Sequence, residues 1–273
     1  MQDTIVLRTT AGDEAQVSVH GAQLLSWVPA GSTEQIYLSP LSRPGPGVAV
    51  RGGAPICWPQ FSQRGPLPKH GIARTSRWQL LSPPAPQAPV AEARFQLDSR
   101  VSPGAWKRDF CLVMLARLGE GWLELHLQAA NTGRTPWSFT AAIHTYFALP
   151  ELQQAEVAGL QGLAYEDMVD AGQVRTEAAP VLRFDGSEID RVYRGVGDAL
   201  TLRAPGMRDR RILQQGFADA VVWNPGPAKA ATLGDLPPED WQRMLCIEAG
   251  AIAQPVDVAP GKTWSGVQRI EIG

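Results

Sequence analysis

One carboxylate stands inside an apolar segment, Glu248 in MLCIEAG, residues 244–250. In a strand, Glu248 shares a face with Met244 and Cys246, because successive side chains alternate between the two faces. A carboxylate is rarely buried without a partner; burial raises its pKa, and a nearby cation lowers it again. A partly desolvated glutamate is a candidate general base. The segment alone equally allows a strand-end glutamate that faces solvent or pairs with an arginine.

A histidine occupies a second strand-like segment, WSFTAAIHTYFAL, residues 137–149. A single strand there places Trp137 and Phe139 on one face and His144 on the other, with Thr140 and Tyr146. His144 would then lie among small and hydroxyl-bearing side chains, as on the floor of a polar groove. The alternative is a hydrogen-bonded histidine on a solvated sheet face.

Two glycine-rich segments carry clustered cations: VRGGAPICWP, residues 50–59, and PKHGIAR, residues 68–74. Glycine lets the backbone approach a ligand closely, and arginine binds phosphate or sulfate esters with a two-pronged fork. The first segment contributes Arg51 and the flat apolar face of Trp58, and the second contributes Lys69, His70 and Arg74. The alternatives are a rigid turn with a core tryptophan and a solvated basic loop.

A third polar segment, SEIDRVY, residues 187–193, contains Asp190. Acids and an arginine before a strand are typical of a solvated sheet edge, and alone they indicate no function.

Short runs of period-two alternation recur along the chain, as in residues 121–128, where leucines alternate with polar residues. This pattern predicts strands with one buried face. The predicted strands are residues 4–10, 16–19, 23–28, 93–97, 110–118, 121–128, 137–149, 199–203, 220–223, 243–247 and 263–272. Turn residues separate them, Asn224-Pro225-Gly226 among them, and a short helical piece is predicted just before Trp241. We therefore expect one all-β domain over residues 1–273, a large antiparallel β-sandwich or barrel with few short helices.

Composition excludes several classes of protein. The 25 lysines and arginines against 27 aspartates and glutamates give a net charge of −2, without the basic excess that nucleic-acid binding requires. No apolar run is long enough to span a membrane, and no signal peptide is evident. Three scattered cysteines predict free thiols in the cytoplasm. Dinucleotide, P-loop and nucleophile-elbow motifs are absent, and the four histidines are too dispersed to indicate a metal site.

Six segments, taken in order, resemble the hexose-6-phosphate mutarotases (glucose-6-phosphate 1-epimerases) of the galactose-mutarotase-like superfamily. They are RGGAPICWPQF, HGIAR, HTYF, DRVY, VVWNP and CIEAG followed by PG. The resemblance runs from about residue 20 to the last residues of the sequence. It implies a large β-sandwich that interconverts the α and β anomers of a hexose 6-phosphate without metal or cofactor. We expect a small sugar phosphate as the only partner and a monomer rather than an oligomer.

The same resemblance implies a catalytic pair, His144 in HTYF and Glu248 in CIEAG. The residues expected to bind the sugar and its phosphate are Arg51, Lys69, His70, Arg74 and Asp190. Glu248 would take the proton from the anomeric hydroxyl, and His144, as an imidazolium, would protonate the ring oxygen. An ionised Glu248 would raise the pKa of His144. The chain departs from the family pattern at Lys69, Ile72 and Ala249, where glutamine, phenylalanine and proline are common.

Three other functions are compatible with these residues. A non-catalytic carbohydrate-binding sandwich would use Trp58 and others of the nine tryptophans, but gives Glu248 no role. A mutarotase of free aldoses would keep the acid and base without the phosphate site. A glycoside hydrolase needs two acids across the scissile bond, for which Asp190 would be the second.

Overall fold

A computed structural model describes residues 4–43, 45–86, 88–100, 106–197 and 199–273. Within these ranges the chain forms one short α-helix, α1 (Gly226–Ala230), three 3-10 turns and twenty strands. The strands are β1 (Thr4–Arg8), β2 (Glu14–Ser18), β3 (Gln23–Val28), β4 (Ile56–Cys57), β5 (Gln79–Ser82), β6 (Ala91–Asp98), β7 (Phe110–Gly119), β8 (Trp122–Asn131), β9 (Trp137–Ile143), β10 (Tyr146–Ala148), β11 (Glu156–Ala158), β12 (Ala164–Asp167), β13 (Gln173–Thr176), β14 (Val181–Arg183), β15 (Ile189–Arg194), β16 (Leu200–Arg203), β17 (Arg210–Gln215), β18 (Asp219–Asn224), β19 (Met244–Val258) and β20 (Thr263–Ile272).

The strands form three antiparallel sheets. The smallest has the order β1-β2-β3; an eight-stranded sheet has the order β13-β12-β15-β18-β19-β9-β4, with β10 also paired to β19. A nine-stranded sheet has the order β14-β11-β16-β17-β20-β8-β7-β6-β5. The two large sheets are linked by Gln268 of β20, which accepts from the Thr145 hydroxyl and donates to the Ile247 carbonyl at 3.1 Å. The predicted all-β antiparallel sandwich is confirmed.

The nine-stranded sheet follows the alternation visible in the sequence. In β8, Leu123, Leu125 and Leu127 are buried, while Glu124 and His126 between them are partly exposed. The neighbouring β7 shows the same pattern along its length. Apolar burial on one face fixes the register here, because a slip by one residue would expose every leucine.

The eight-stranded sheet is buried on both faces at its centre. Every residue of β18 is buried, as are the first nine of β19. The prediction of an exposed edge around Asp190 is wrong, because β15 lies between β12 and β18 inside this sheet. Asp190 and Arg191 of β15 are therefore partly buried, while Arg194 at the end of the strand is exposed.

The predicted strand over residues 137–149 is interrupted at His144 and Thr145. The His144 amide makes no strand-pairing hydrogen bond and instead donates to the Pro55 carbonyl at 2.9 Å. The Thr145 hydroxyl donates to the Gln268 side chain. Further along, the predicted turn at Asn224-Pro225-Gly226 leads into α1, and the predicted helical piece is a 3-10 turn, Asp240–Arg243, that includes Trp241.

The loop that carries Lys69 and His70 is held in a left-handed backbone conformation. His70 has φ of 66° and Gly71 has φ of 71°. A Cβ at Gly71 would lie 2.2 Å from the Trp58 carbonyl oxygen, which accepts from the Ile72 amide at 2.9 Å. Only glycine allows this approach.

The Trp58 side chain is fully buried and packs against other aromatic rings rather than facing a pocket. Its ring centroid lies 4.7 Å from those of Trp106 and Phe110, and 6.2 Å from those of Trp137 and Phe139. Trp58 is therefore a core residue, as in the alternative interpretation of residues 50–59 as a rigid turn with a core tryptophan.

Replacing Gly71 with alanine tests how tightly this loop is constrained. We expect Gly71→Ala to lower the free energy of unfolding by about 3 kcal/mol, since it adds a steric clash to the cost of a positive φ. Gly162→Ala is the matched control, because Gly162 has φ of 81° but no atom within 4 Å of the added Cβ. Urea denaturation measures both variants. Equal destabilisation would contradict the role of close packing.

Candidate active site

All seven predicted site residues line one pocket of about 330 Å³ on the eight-stranded sheet. Glu248 comes from β19 and Asp190 from β15, while His144 lies between β9 and β10. The loops that precede and follow β4 supply the others, which are Arg51, Lys69, His70 and Arg74. Five separate segments of the chain therefore converge on this face.

Sheet register places His144 directly beside Glu248. Ile143 pairs with Ala249 on one side and Tyr146 pairs with Cys246 on the other, in the same antiparallel register. His144 is therefore level with Glu248 even though the ladder is irregular between these pairs. Its Nε2 lies 3.2 Å from Glu248 Oε1, and both side chains are buried, with 9% and 1% exposed.

Burial is the largest cause of the pKa shifts of Glu248 and His144. Desolvation raises the pKa of Glu248 well above its usual value, and nearby Asp190 raises it further. Desolvation also lowers the pKa of His144 well below its usual value, and the positive charges of Arg74 and Arg51 add to the shift. Both shifts favour uncharged forms, so the expectation that an ionised Glu248 raises the pKa of His144 is corrected.

Each member of the pair keeps one further polar atom without a partner. His144 Nδ1 and Glu248 Oε2 are buried and accept or donate no hydrogen bond within the described ranges. The hydrogen-bonding capacity of the pair is thus not used up by the surrounding protein, which is unusual for buried polar atoms and typical of a functional site.

Aromatic rings fix the orientation of the His144 imidazole. The Tyr146 ring stacks on it, with ring centroids 4.9 Å apart and an interplanar angle of 11°. The Trp223 ring meets it edge-on, with centroids 5.9 Å apart. The His70 ring also meets it edge-on, with ring centroids 5.6 Å apart. His70 Nδ1 accepts from the Ser62 amide at 3.3 Å, and burial lowers the pKa of His70. His70 is therefore neutral with its proton on Nε2.

The basic side chains that line the pocket differ in whether a carboxylate already pairs with them. Arg51 is held by Asp235, 3.1 Å from its Nε and Nη2 atoms, and donates from Nη1 to the Tyr146 hydroxyl at 3.2 Å. Within the described residues, the side chains of Lys69 and Arg74 have no carboxylate partner. Arg74 donates to the Lys69 carbonyl at 3.0 Å, and its Nε is buried without a partner.

Asp190 is half-buried on the wall of the pocket. Desolvation raises its pKa to about 6, while the ammonium groups of Lys229 and Lys69 oppose that shift. At neutral pH it is a carboxylate that can accept hydrogen bonds from a bound molecule.

Several pocket residues were not predicted as site residues, and only some of them left a signal in the sequence. Tyr146 shares a strand face with His144 in the alternation of residues 137–149, so its position was visible. Lys229 belongs to α1, where a turn was predicted; it pairs with Glu188 and lines the pocket. Trp223 stands opposite Cys246 in the β18–β19 pairing, which no local pattern reveals.

No group of three or more His, Cys, Asp or Glu side chains that could hold a metal ion occurs in the ranges that the structure describes. Among the helices of those ranges, none is long and apolar enough to cross a membrane.

Known proteins resemble this chain over nearly its whole length. The family model described as "Aldose 1-epimerase" matches residues 3–271. A protein of Cenchrus ciliaris named "Putative glucose-6-phosphate 1-epimerase" is 32% identical over 97% of this chain and 83% of its own. A protein of Escherichia coli K12 with the same name is 32% identical over 95% of this chain and 87% of its own. The crystal structure of "a putative mutarotase" from Salmonella typhimurium has a TM-score of 0.88 at 29% identity, covering 96% of this chain and 87% of that one.

Removing the buried carboxyl should stabilise the protein in a pH-dependent way. Above the ordinary glutamate pKa the unfolded chain ionises Glu248 freely, whereas the folded protein disfavours its charge, so folding loses stability as pH rises. We expect Glu248→Gln to raise the free energy of unfolding at pH 8 by about 1 kcal/mol, or a Tm gain of ~2–4 °C. The gain should vanish near pH 4, where both states are protonated.

Calorimetry at the two pH values measures this effect, with Glu120→Gln as control because Glu120 is exposed. A gain of the same size at both pH values, or a loss at pH 8, would contradict the assigned direction of the pKa shift.

Proposed function

Because the chain belongs to the aldose 1-epimerase family of isomerases, we propose that it interconverts the α and β anomers of a hexose 6-phosphate, with glucose 6-phosphate as the substrate. The observation that carries the proposal is the buried His144–Glu248 contact of 3.2 Å in a pocket that Lys69 and Arg74 also line, neither of which has a carboxylate partner among the described residues. The names of the relatives from Cenchrus ciliaris and Escherichia coli support the choice of sugar.

The chemistry requires one base and one acid at a single hemiacetal carbon. The anomeric hydroxyl O1 and the ring oxygen O5 are both bonded to C1, so two groups about 3 Å apart can reach both. A base takes the O1 proton as an acid protonates O5; the C1–O5 bond breaks to give the open-chain aldehyde. Rotation about C1–C2 and reversal of these steps gives the other anomer. Each proton transfer contributes roughly 10²–10⁴-fold.

The pair holds one proton that both steps can use. In the uncharged form of the pair this proton is on Glu248. In the reactive form, where Glu248 is the base and His144 the acid, the proton is on His144. Arg74 and Arg51 are the charges that lower the pKa of His144. A bound phosphate, which carries up to two negative charges, offsets them and raises the pKa of His144. It raises the pKa of Glu248 as well, because Arg74 and Lys69 lower that value.

The rest of the pocket would bind the sugar phosphate. Arg51, Arg74 and Lys69 supply positive charge for the 6-phosphate, since guanidinium groups bind phosphate with paired hydrogen bonds. The Asp190 carboxylate accepts from sugar hydroxyls, and His70 donates from Nε2 to a substrate oxygen. Binding the phosphate away from C1 would orient the reacting atoms against the pair.

Burial of Trp58 removes the main support for a carbohydrate-binding module, because its face is covered by core aromatic residues. A free-aldose mutarotase would leave Lys69 and Arg74 without a role.

The proposed enzyme acts as a monomer, as one domain over residues 1–273, in the cytoplasm. The family match over residues 3–271 supports a single unit, and the free thiols of Cys57, Cys111 and Cys246 suit a reducing compartment. The reaction moves protons only, so it requires neither a metal nor an organic cofactor.

Anomer exchange measured by NMR tests the proposed activity. We expect the protein to accelerate exchange between the two anomers of glucose 6-phosphate, and His144→Ala and Glu248→Gln to lower kcat by at least about 100-fold, since each removes one proton-transfer group. His126→Ala is the control, because His126 lies on the nine-stranded sheet and, among the described residues, its side chain bonds only to Ser265. Near-normal rates in either pocket variant would refute the assignment.

Sugar discrimination tests the phosphate site. We expect Arg74→Ala to raise KM for glucose 6-phosphate by about 10–100-fold, the effect of losing one charged hydrogen bond, with a far smaller effect on glucose. Arg64→Ala is the comparison, because Arg64 lines the same pocket but is already paired with Glu166. Equal losses for both sugars would mean that Arg74 does not bind phosphate.

A further inference from the structure

Tyr146 contacts both functional parts of the pocket at once. Its ring lies flat against the His144 imidazole, and its hydroxyl accepts a hydrogen bond from Arg51 Nη1 at 3.2 Å. The side chain is 3% exposed. No other described residue both stacks on His144 and bonds to a cation of the pocket.

The backbone ties Tyr146 to the segment that carries Arg51. The Tyr146 amide donates to the Gly53 carbonyl at 2.9 Å, two residues beyond Arg51. Gly53 has φ of 71°, and a Cβ there would lie 2.2 Å from the Leu24 carbonyl oxygen, so this segment is packed too closely to shift freely. Tyr146 is also paired with Cys246 on β19, two residues from Glu248.

The Tyr146 hydroxyl retains a proton to donate. Burial raises the pKa of Tyr146 beyond its ordinary value, so the phenol stays protonated. Its oxygen accepts from Arg51, while its own proton has no acceptor among the described residues. An anion that binds at Arg51 can therefore also accept from Tyr146, and any adjustment of the phenol changes the surface against which the imidazole lies.

We propose that Tyr146 is a positioning residue that couples the orientation of the His144 imidazole to the occupancy of Arg51, so that a bound phosphate raises turnover as well as affinity. This rests on the proposed epimerase function. The phosphate then does more than bind the substrate. Its binding at Arg51 completes the alignment of the His144 imidazole, which acts at the anomeric carbon of the same sugar.

Kinetics of Tyr146→Phe separate this role from simple binding. Phenylalanine keeps the ring against His144 and loses the hydroxyl. We expect kcat for glucose 6-phosphate to fall about tenfold, KM to change less than threefold, and kcat for glucose to fall no more than threefold. Tyr193→Phe is the matched control: Tyr193 is fully buried, accepts from Arg191 at 3.4 Å, and does not line the pocket.

Two kinetic outcomes would overturn the proposal. An equal loss of kcat for both sugars would make Tyr146 a structural support alone, and an effect on KM without one on kcat would make it a phosphate ligand alone. If the unaltered protein accelerates neither sugar, the proposed function fails instead.

A direct measurement on the imidazole decides the coupling independently of turnover. In protein labelled with ¹⁵N-histidine, inorganic phosphate should shift the His144 resonances, and Tyr146→Phe should reduce that shift at least twofold, whereas His126 should not respond. A full shift of the His144 resonances in Tyr146→Phe would show that occupancy reaches His144 without the hydroxyl and would overturn the proposal.

Discussion

The contact between a buried carboxyl and a buried imidazole is the constraint on which the rest of the structure depends. Taking either charge out of water costs several kcal/mol, so the protein can hold Glu248 and His144 in the interior only in a form with little net charge. The same burial that costs stability shifts the pKa values of both groups toward their uncharged forms, with Nε2 and Oε1 only 3.2 Å apart. A general acid or base works best with a pKa near the operating pH. Burial raises the pKa of Glu248 in that direction and lowers the pKa of His144 away from it.

The two large sheets contribute differently to this arrangement. The nine-stranded sheet has the alternating burial of a sheet with one solvated face, and it supplies a stable layer beneath the site. The eight-stranded sheet is buried on both faces at β18 and β19, so its outer face can carry a water-poor pocket. Gln268 joins the two layers next to the segments that carry His144 and Glu248, where its side-chain amide bonds to Thr145 and Ile247.

Local patterns in the sequence predicted the fold class, because alternation such as that of Leu123, Leu125 and Leu127 depends only on neighbours along the chain. The resemblance to the mutarotases brought His144 and Glu248 together, which alternation could not do. The position of β15 inside a sheet depends on pairing with β12 and β18, both distant in sequence, so its polar residues were read as an edge. The protonation of His144 depends on burial and on Arg74 and Arg51, which belong to other elements, and it could not be deduced from a neighbouring glutamate alone.

The strand order has a consequence for how this protein is synthesised. β20, the last strand along the chain, pairs with β17 on one side and β8 on the other, in the interior of the nine-stranded sheet. Until it emerges from the ribosome, β8 and β17 each present an open edge that can pair with another chain. β19, equally late, sits between β18 and β9. Both sheets therefore close only after residues 244–272 have been synthesised, and a nascent chain stalled before residue 244 exposes edges that chaperones would have to cover.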